Sequence, residues 1–434
     1  MSSENIVVAR SSSKRTSVTL LVLSEIAAMS LWFASAAILP DMVRESGMST
    51  VRQAMLSSGV QLGFVAGALA VAASGLADRF DPRRVFATTG VLAALCNLAL
   101  LVAPIGGTIA ILLRVLTGML LAGVYPVGMK IAVGWGTRDR GLLVGLLVGA
   151  LTIGSALPHL AAYLGGADWR SVIIATSLLA FVGALLVLLC GLGPHHARAP
   201  RFSARAIALA WGNRRIRLTY LGYFGHMWEL YAMWAWIGAA AAVSYGARLG
   251  ADEATHLAKL TAFLAIALGG LTCAPAGWLA DRIGKAQVTI IAMALSGSSA
   301  IATALSFGGP IWLTFVLIVI WGIFVIPDSA QFSALVADAS PPDLAGSVMT
   351  LQTALGFALT AVTVQVTPLL AHAFGWPAIL AGLAIGPLVG IAAMARLLKA
   401  DDQSPPAGPE ARPSAQAAET AVRRMAPRHA PPPR

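Results

Sequence analysis

The sequence predicts an all-α polytopic membrane protein, and both its composition and the length of its apolar runs support that prediction. Of its 434 residues, 57% are hydrophobic and 11% are charged, whereas soluble globular proteins average roughly 45–50% and 25%. The apolar residues form long runs such as Val18 to Pro40 and Ile109 to Val133, long enough to cross a bilayer core of about 30 Å as helices. The runs lack the period-two alternation that a membrane-spanning barrel requires.

Glycine, proline and charged residues divide the apolar runs into predicted transmembrane spans. The twelve predicted spans are 18–42, 53–75, 85–104, 108–132, 142–164, 170–191, 217–243, 256–279, 287–306, 310–335, 345–370 and 377–397. The first run is longer than the apolar region of a signal peptide and lacks a clear cleavage site. We therefore interpret it as the first span.

The longest internal loop separates six predicted spans from another six. We predict a cytoplasmic N-terminus (1–17), an N-terminal six-helix bundle (18–191), a cytoplasmic linker (192–216), a C-terminal six-helix bundle (217–398) and a cytoplasmic tail (399–434). The linker contains a short amphipathic segment suited to the inner leaflet. The tail is rich in Pro, Ala and Arg, a composition typical of disorder.

The formal net charge of +11 has a topological explanation. With the N-terminus inside, basic residues concentrate in the inner loops, at 79–84, 138–140, 198–217 and 282–285. This asymmetry follows the positive-inside rule and predicts that both termini are cytoplasmic, in a bacterial cytoplasmic (inner) membrane. Membrane lipid is then the partner of the basic charge, and no nucleic acid is expected.

The sequence shows no sign of a catalytic or metal centre. Cys96, Cys190 and Cys273 are odd in number, far apart and inside apolar runs, which argues against a disulfide framework or a metal site. The chain has no GxxxxGK[ST] nucleotide-binding loop, so ATP is not the expected energy source. We predict neither an enzyme nor a cofactor.

Two pairs of similar segments lie half a chain apart and indicate an internal duplication. GLADRFDPRR at 75–84 matches GWLADRIGKAQ at 277–287, with Asp78 and Asp281 separated by 203 residues (281 − 78). EIAAMSLWFA at 25–34 matches ELYAMWAWIG at 229–238, with Glu25 and Glu229 separated by 204 (229 − 25). These offsets predict two homologous six-helix halves.

The Asp-Arg segments resemble the signature between helices two and three of the major facilitator superfamily (MFS) of secondary transporters. That signature runs Gly, three residues, Asp-Arg, one residue, Gly and then basic residues, and the second copy fits it with Gly277, Asp281, Arg282, Gly284 and Lys285. The first copy has Ser74 and Asp81 where glycines are usual. Arg114 followed by Gly118 matches a second pattern of the family, in helix four.

This resemblance implies an MFS fold: twelve transmembrane helices in two pseudo-symmetric six-helix bundles. It further implies that spans 1, 4, 7 and 10 line a central pathway, and that a small-molecule substrate crosses by alternating access. We expect a monomer.

One helical face of span 1 and one of span 7 carry the same residue types. The two stripes are Glu25, Ala28, Met29 and Trp32, and Glu229, Ala232, Met233 and Trp236. A carboxylate at the centre of the hydrocarbon zone costs at least about 2.5 kcal/mol and marks function by default. We therefore predict that Glu25 and Glu229 face one pathway from opposite halves, where they carry a proton or neutralise a cationic substrate. The alternative is that each bonds a neighbouring helix and stabilises the fold.

Other membrane residues are candidate pathway groups. Arg114 is suited to hold Glu25 ionised, to bind an anionic substrate or to bond helix-end carbonyls. His226 lies on the helical face of Glu229 and is a candidate proton partner, with a packed histidine as the alternative. Trp32 and Trp236 belong either to an aromatic wall for a ring or cation or to a packing contact.

Six charged residues are predicted to control the conformation. As the resemblance implies, the Asp-Arg loops act as latches through Asp78, Arg79, Asp281 and Arg282. Asp78 is predicted to lie at the N-terminus of span 11 in the outward-open state, where the helix dipole favours a carboxylate. Lys130 and Asp328 are predicted to gate the inner mouth against each other, with snorkelling of Lys130 as the alternative.

These residues favour a secondary transporter, proton-coupled, that exports a cationic or aromatic compound. Two alternatives stay open from sequence: proton-coupled uptake of a small organic or inorganic anion, and a transporter-like sensor that does not cycle. The substrate, the direction of transport and the coupling mode do not follow from the residues alone.

Overall fold

The computed structural model describes residues 13–136, 139–165, 168–196 and 203–402, and these form helices joined by short loops. Twelve spans cross the molecule, and four of them consist of two helices each. In chain order the spans are Lys14–Met29 with Ala34–Ser46, Thr50–Ser74, Pro82–Leu98, Thr108–Leu121 with Tyr125–Gly134, Arg140–Leu164, Trp169–Leu186, Arg214–Tyr245, Ala251–Ile283, Lys285–Leu305, Ile311–Phe324 with Ser329–Ala339, Ala345–Phe374, and Trp376–Leu383 with Ile385–Asp402.

The predicted membrane architecture of twelve helices is confirmed. Within the described chain, eleven spans are long and apolar enough to cross a membrane. The seventh, Arg214–Tyr245, has 32 residues and is long enough, but charged and aromatic side chains interrupt it. Because an even number of spans returns the chain to its starting side, the first span begins where the last one ends. We call the end of the molecule where the first span begins the Asp-Arg end, because Asp78 and Asp281 lie there. We call the opposite end, where the first span finishes, the Asp41 end.

The helix limits differ from the predicted segments by a few residues. The first helix begins at Lys14 and the seventh span at Arg214. The linker forms the short helix Arg205–Gly212, which packs against the seventh and eleventh spans. Residues 1–12, 137–138, 166–167, 197–202 and 403–434 lie outside the described residues, and with them most of the predicted N-terminus and tail.

The fourth and tenth spans break at equivalent positions of the repeat. The second helix of the fourth span follows Val124 and that of the tenth follows Asp328, 204 residues later (328 − 124). Pro126 and Pro327 stand at these breaks, and proline removes an amide hydrogen from the helix ladder. Irregular backbone at membrane depth is tolerated only where protein or a cavity shields it, so such breaks mark the region where a binding site can lie.

The two bundles approach each other closely along the fifth and eighth spans. A Cβ atom on Gly149 would lie 2.7 Å from the carbonyl oxygen of Gly270, so only glycine allows the two backbones to lie this close. The second and eleventh spans form another broad contact between the bundles. A continuous buried core runs through both bundles.

Candidate functional site

Glu25 lies in the first helix of the first span and is fully buried. Neither of its carboxylate oxygens has a hydrogen-bond partner among the described residues. Its Oε2 would be 2.4 Å from a Cβ atom on Gly128, just after the break of the fourth span, and Phe86 of the third span borders the same space. Because Gly128 has no side chain, the Glu25 carboxylate fits in this space. Its two oxygens remain able to accept hydrogen bonds.

Glu229 is equally buried but has hydrogen-bond donors. Ser296 Oγ donates to Oε2 at 2.9 Å and Trp321 Nε1 donates to Oε1 at 2.8 Å. Ser296 belongs to the ninth span and Trp321 to the tenth. The carboxylate therefore joins three helices of the C-terminal bundle.

The two glutamates do not face each other across one pathway. Glu25 points towards the third and fourth spans, and Glu229 towards the ninth and tenth. In this conformation the predicted arrangement is therefore wrong, because each side chain is directed into its own bundle. For Glu229 the physical reason is clear, since a buried carboxylate is costly without donors and the bundle interior supplies two.

Arg114 bonds to the backbone at the break of the first span. Its Nη2 donates to the carbonyl oxygens of Leu31 at 2.9 Å and of Trp32 at 2.8 Å. These carbonyls lie between the helices Lys14–Met29 and Ala34–Ser46 and have no place in a regular ladder. Of the three predicted roles, the structure shows the contact with helix-end carbonyls, and no bond joins Arg114 to Glu25 among the described side chains.

Asn97 of the third span orients Arg114, and sequence reasoning missed it. Its Oδ1 accepts from Arg114 Nη1 at 3.0 Å, while its Nδ2 donates to Ser177 Oγ at 2.9 Å and to Thr176 Oγ1 at 3.2 Å. One fully buried amide thus joins three spans of the N-terminal bundle to the break. The available signal was a lone Asn within the apolar run 85–104.

The charged residues near the predicted inner mouth pair differently from prediction. Asp328, at the break of the tenth span, lies 2.9 Å from His226 Nδ1, and both side chains are buried. Lys130 pairs with Asp78 of its own bundle. The predicted pair of Lys130 and Asp328 is therefore wrong in this conformation, because each lies beside a polar partner within its own bundle.

The latch residues make the following contacts in this conformation. Asp78, expected at the start of the eleventh span in the outward-open state, pairs with Lys130. Arg79 and Asp281 are exposed. Arg282 stacks over the ring of Trp278 at 3.7 Å from its centroid. Asp81, which replaces a glycine of the family signature, caps the third span by accepting from the Arg83 amide at 2.9 Å.

An aromatic cluster closes the interface between the bundles near the break of the first span. Trp32 lies 4.8 Å from Phe64, 5.5 Å from Phe357 and 5.8 Å from Tyr231, measured between ring centroids. Trp32 and Phe64 belong to the N-terminal bundle, and Phe357 and Tyr231 belong to the C-terminal bundle. Trp32, predicted to belong to an aromatic wall or to a packing contact, thus packs in a cluster at the interface between the bundles.

The other members of the two stripes pack within the protein. Trp236 Nε1 donates to the Val364 carbonyl at 2.9 Å. Met29 and Met233 are fully buried in the apolar core. In this conformation these three side chains therefore make packing contacts, which is one of the two alternatives that the sequence allowed.

Ion pairs cross between the bundles at the Asp41 end. Lys259 Nζ of the eighth span lies 2.7 Å from Asp41 Oδ2 of the first, and Arg44 Nη1 lies 2.8 Å from Asp252 Oδ1. At the Asp-Arg end, the ion pairs recorded between described residues stay within one bundle. The structure is therefore a conformation closed at the Asp41 end.

The described residues contain no group of three or more His, Cys, Asp or Glu side chains that could hold a metal ion. Chemically the arrangement offers buried acids, a buried His–Asp pair and broken helices. Such groups can bind and release protons or polar ligands.

Comparison with family models matches the Major Facilitator Superfamily over residues 20–274 and 219–430. The chain belongs to this superfamily and is a secondary transporter of the membrane. Comparison with curated protein sequences gave no match.

Solved structures show the same fold at low identity. A D-xylose-proton symporter has a TM-score of 0.70 at 13% identity, over 89% of this chain and 98% of that one. A bacterial homologue of the human lysosomal transporter Spinster, inward-facing and occupied, has a TM-score of 0.69 at 14% identity, over 91% and 100%. A point mutant of the nucleoside transporter NupG has a TM-score of 0.67 at 15% identity, over 88% and 99%.

Proposed function

We propose that this protein is a proton-coupled transporter that exports a small cationic or aromatic compound by alternating access, with both termini in the cytoplasm of a bacterial cell. One observation carries the proposal: Glu25 is fully buried, and both of its oxygens lack partners in the described chain. A bare carboxylate at this depth is costly unless a proton or a cationic group neutralises it. Glu25 is therefore the group we assign to the coupling proton.

Glu229 has a different role in this proposal. Its two donors already satisfy the carboxylate inside the C-terminal bundle. We assign it to holding the seventh, ninth and tenth spans together. His226 and Asp328 are buried beside each other at the break of the tenth span and join that span to the seventh.

The uptake of an anion has less support. That alternative depended on Arg114 and Lys130 as anion-binding cations. Arg114 donates to two carbonyls and to Asn97, and Lys130 pairs with Asp78. An incoming anion would have to displace these contacts or accept from Arg114 Nε, the nitrogen of this guanidinium that has no partner among the described residues.

The test is a screen of proton movement in proteoliposomes. Purified protein is reconstituted with a trapped pH indicator, and amines, aromatic compounds and carboxylates are added in turn. We expect at least one amine or aromatic compound to move protons with wild type and with Glu45→Gln, an acidic residue of the same span in an exposed ion pair. Glu25→Gln should abolish that movement.

Two results would overturn the proposal. Proton movement in Glu25→Gln equal to wild type would remove Glu25 from coupling. Binding of a compound without any flux would favour the sensor that does not cycle.

A further inference from the structure

The second helix of the first span, Ala34–Ser46, carries a buried ion pair to the other bundle. Asp41 and Lys259 are each only 5% exposed, and Lys259 Nζ lies 2.7 Å from Asp41 Oδ2. No sequence motif pointed to either residue. Asp41 lies in the N-terminal bundle and Lys259 in the eighth span of the C-terminal bundle.

Arg44 extends this pair into a network. Its Nη2 lies 3.0 Å from Asp41 Oδ1 and its Nη1 lies 2.8 Å from Asp252 Oδ1. The network borders a cleft of about 410 Å³, whose lining also includes Glu253, Thr255 and His256 of the eighth span. Charged side chains of both bundles therefore meet at the Asp41 end of the interface.

The same helix is tied to its own bundle by Glu45. This carboxylate accepts from Trp169 Nε1 at 2.7 Å and from Arg170 Nη2 at 2.7 Å, both in the sixth span. Because Glu45 holds the helix to the N-terminal bundle, separation of the bundles at this end must break the contacts of Asp41 and Arg44 with the eighth span.

A buried ion pair responds to substitution in a characteristic way. Removing one partner leaves an uncompensated buried charge, whereas removing both leaves none. When the bundles separate, water reaches the remaining charge and relieves that cost. Loss of one partner therefore favours the open conformation, and loss of both does not.

We propose that Asp41, Arg44, Asp252 and Lys259 form the gate that closes the Asp41 end during transport. The inference rests on the proposed function, since alternation between two conformations is what gives the gate its role. It requires neither a particular substrate nor proton coupling.

The test measures the distance between the bundles by electron paramagnetic resonance in lipid nanodiscs. Spin labels are attached at Val102→Cys and Leu305→Cys, at the Asp41 end of the third and ninth spans, where the native side chains are 88% and 84% exposed. The three native cysteines are replaced first. We expect Asp41→Asn, which takes the Asp41 carboxylate away from Lys259 and Arg44, to shift the population to longer distances. Lys259→Gln should cause a smaller shift, because Arg44 still pairs with Asp41, and the double variant should return towards wild type.

The matched control breaks the ion pair within one bundle. Glu45 lies on the same helix as Asp41, and Arg170→Ala removes the ion-pair partner of Glu45. This variant should leave the distance distribution unchanged. Asp252→Asn gives a variant that does not threaten folding, since Asp252 is 90% exposed, and a smaller shift in the same direction is expected.

The gate is refuted if every gate variant keeps the wild-type distribution, or if Arg170→Ala produces the same shift. A double variant that opens further than either single variant would refute the charge mechanism. Because the measurement uses no substrate and no proton gradient, its failure leaves the role of Glu25 untouched, and a failed proton screen leaves the gate untouched.

Discussion

Glu25 and Glu229 occupy equivalent positions of the repeat, yet only Glu229 receives hydrogen bonds from the residues that the structure describes. The two halves have diverged around a shared acid. At the repeat offset of 204, the two donors of Glu229 are replaced by Leu92 (296 − 204) and Thr117 (321 − 204). After the duplication, Glu229 therefore became part of the hydrogen bonding within its bundle, whereas Glu25 kept the capacity to bind a proton or a ligand.

Loss of a donor to Glu229 should destabilise the protein. Trp321→Phe leaves Glu229 Oε1 without the donor now 2.8 Å away, at a cost of about 1–3 kcal/mol. We expect a lower melting temperature in detergent. Trp312→Phe in the same span, at a site 70% exposed, is the control and should melt like wild type. Equal melting of Trp321→Phe and wild type would show that this bond contributes no stability.

A side chain at Gly128 should disturb Glu25. The new Cβ atom would be 2.4 Å from Glu25 Oε2, so the carboxylate must move. We expect Gly128→Ala to lower the rate of coupled proton movement at least several-fold, as misplacement of a reacting group does. Gly141→Ala has open space around it and should behave like wild type. Unimpaired coupling in Gly128→Ala would separate the position of Glu25 from its proposed role.

Asn97 should stabilise the break of the first span through Arg114. Asn97→Leu leaves Arg114 Nη1 without the acceptor at 3.0 Å, which costs about 1–3 kcal/mol or more for a charged group. We expect a lower melting temperature, and partial recovery in Asn97→Asp, which keeps an acceptor. If Asn97→Asp melted no higher than Asn97→Leu, the bond to Arg114 would not be the source of the stability.

The cap of the third span should depend on pH. Hydrogen bonds from Arg83 hold the pKa of Asp81 below its ordinary value. A lowered folded-state pKa stabilises the protein above the unfolded value of about 3.9, and this contribution is lost as the pH falls through the folded pKa. Asp81→Ala should therefore cost about 0.5–2 kcal/mol near neutral pH.

Melting curves across pH measure this difference. The difference in melting temperature between wild type and Asp81→Ala should become smaller as the pH is lowered. Asp343→Ala, at an exposed position, should melt close to wild type at every pH. A difference that stayed constant into acid would mean that the Asp81 charge is not involved.

The sequence was sufficient for the fold because its strongest signals are local. Runs of about twenty apolar residues, glycine and proline at their ends, and two repeated Asp-Arg loops together define twelve spans and two halves. Even the seventh span, which carries Glu229 and several aromatic residues, was placed within three residues of its observed start (217 − 214).

The pairing of charged side chains could not be predicted. Helical spacing shows that Glu229 shares a face with Met233, but the direction of that face depends on how the helix is rotated in its bundle. The partners of Asp328, Lys130 and Asp41 depend on packing between distant spans and on which conformation is adopted. Asp41 and Lys259 were missed for the same reason: each lies near the end of its apolar run, where a charge is ordinary.

The central claim, that Glu25 exchanges a proton for substrate, is tested most directly by proton release on binding. A substrate found in the proteoliposome screen is added to weakly buffered protein in detergent, and the pH change is recorded for wild type, Glu25→Gln and Glu229→Gln. The proposal predicts proton release in wild type and in Glu229→Gln, and binding without release in Glu25→Gln. Release from Glu25→Gln equal to that from wild type would contradict it.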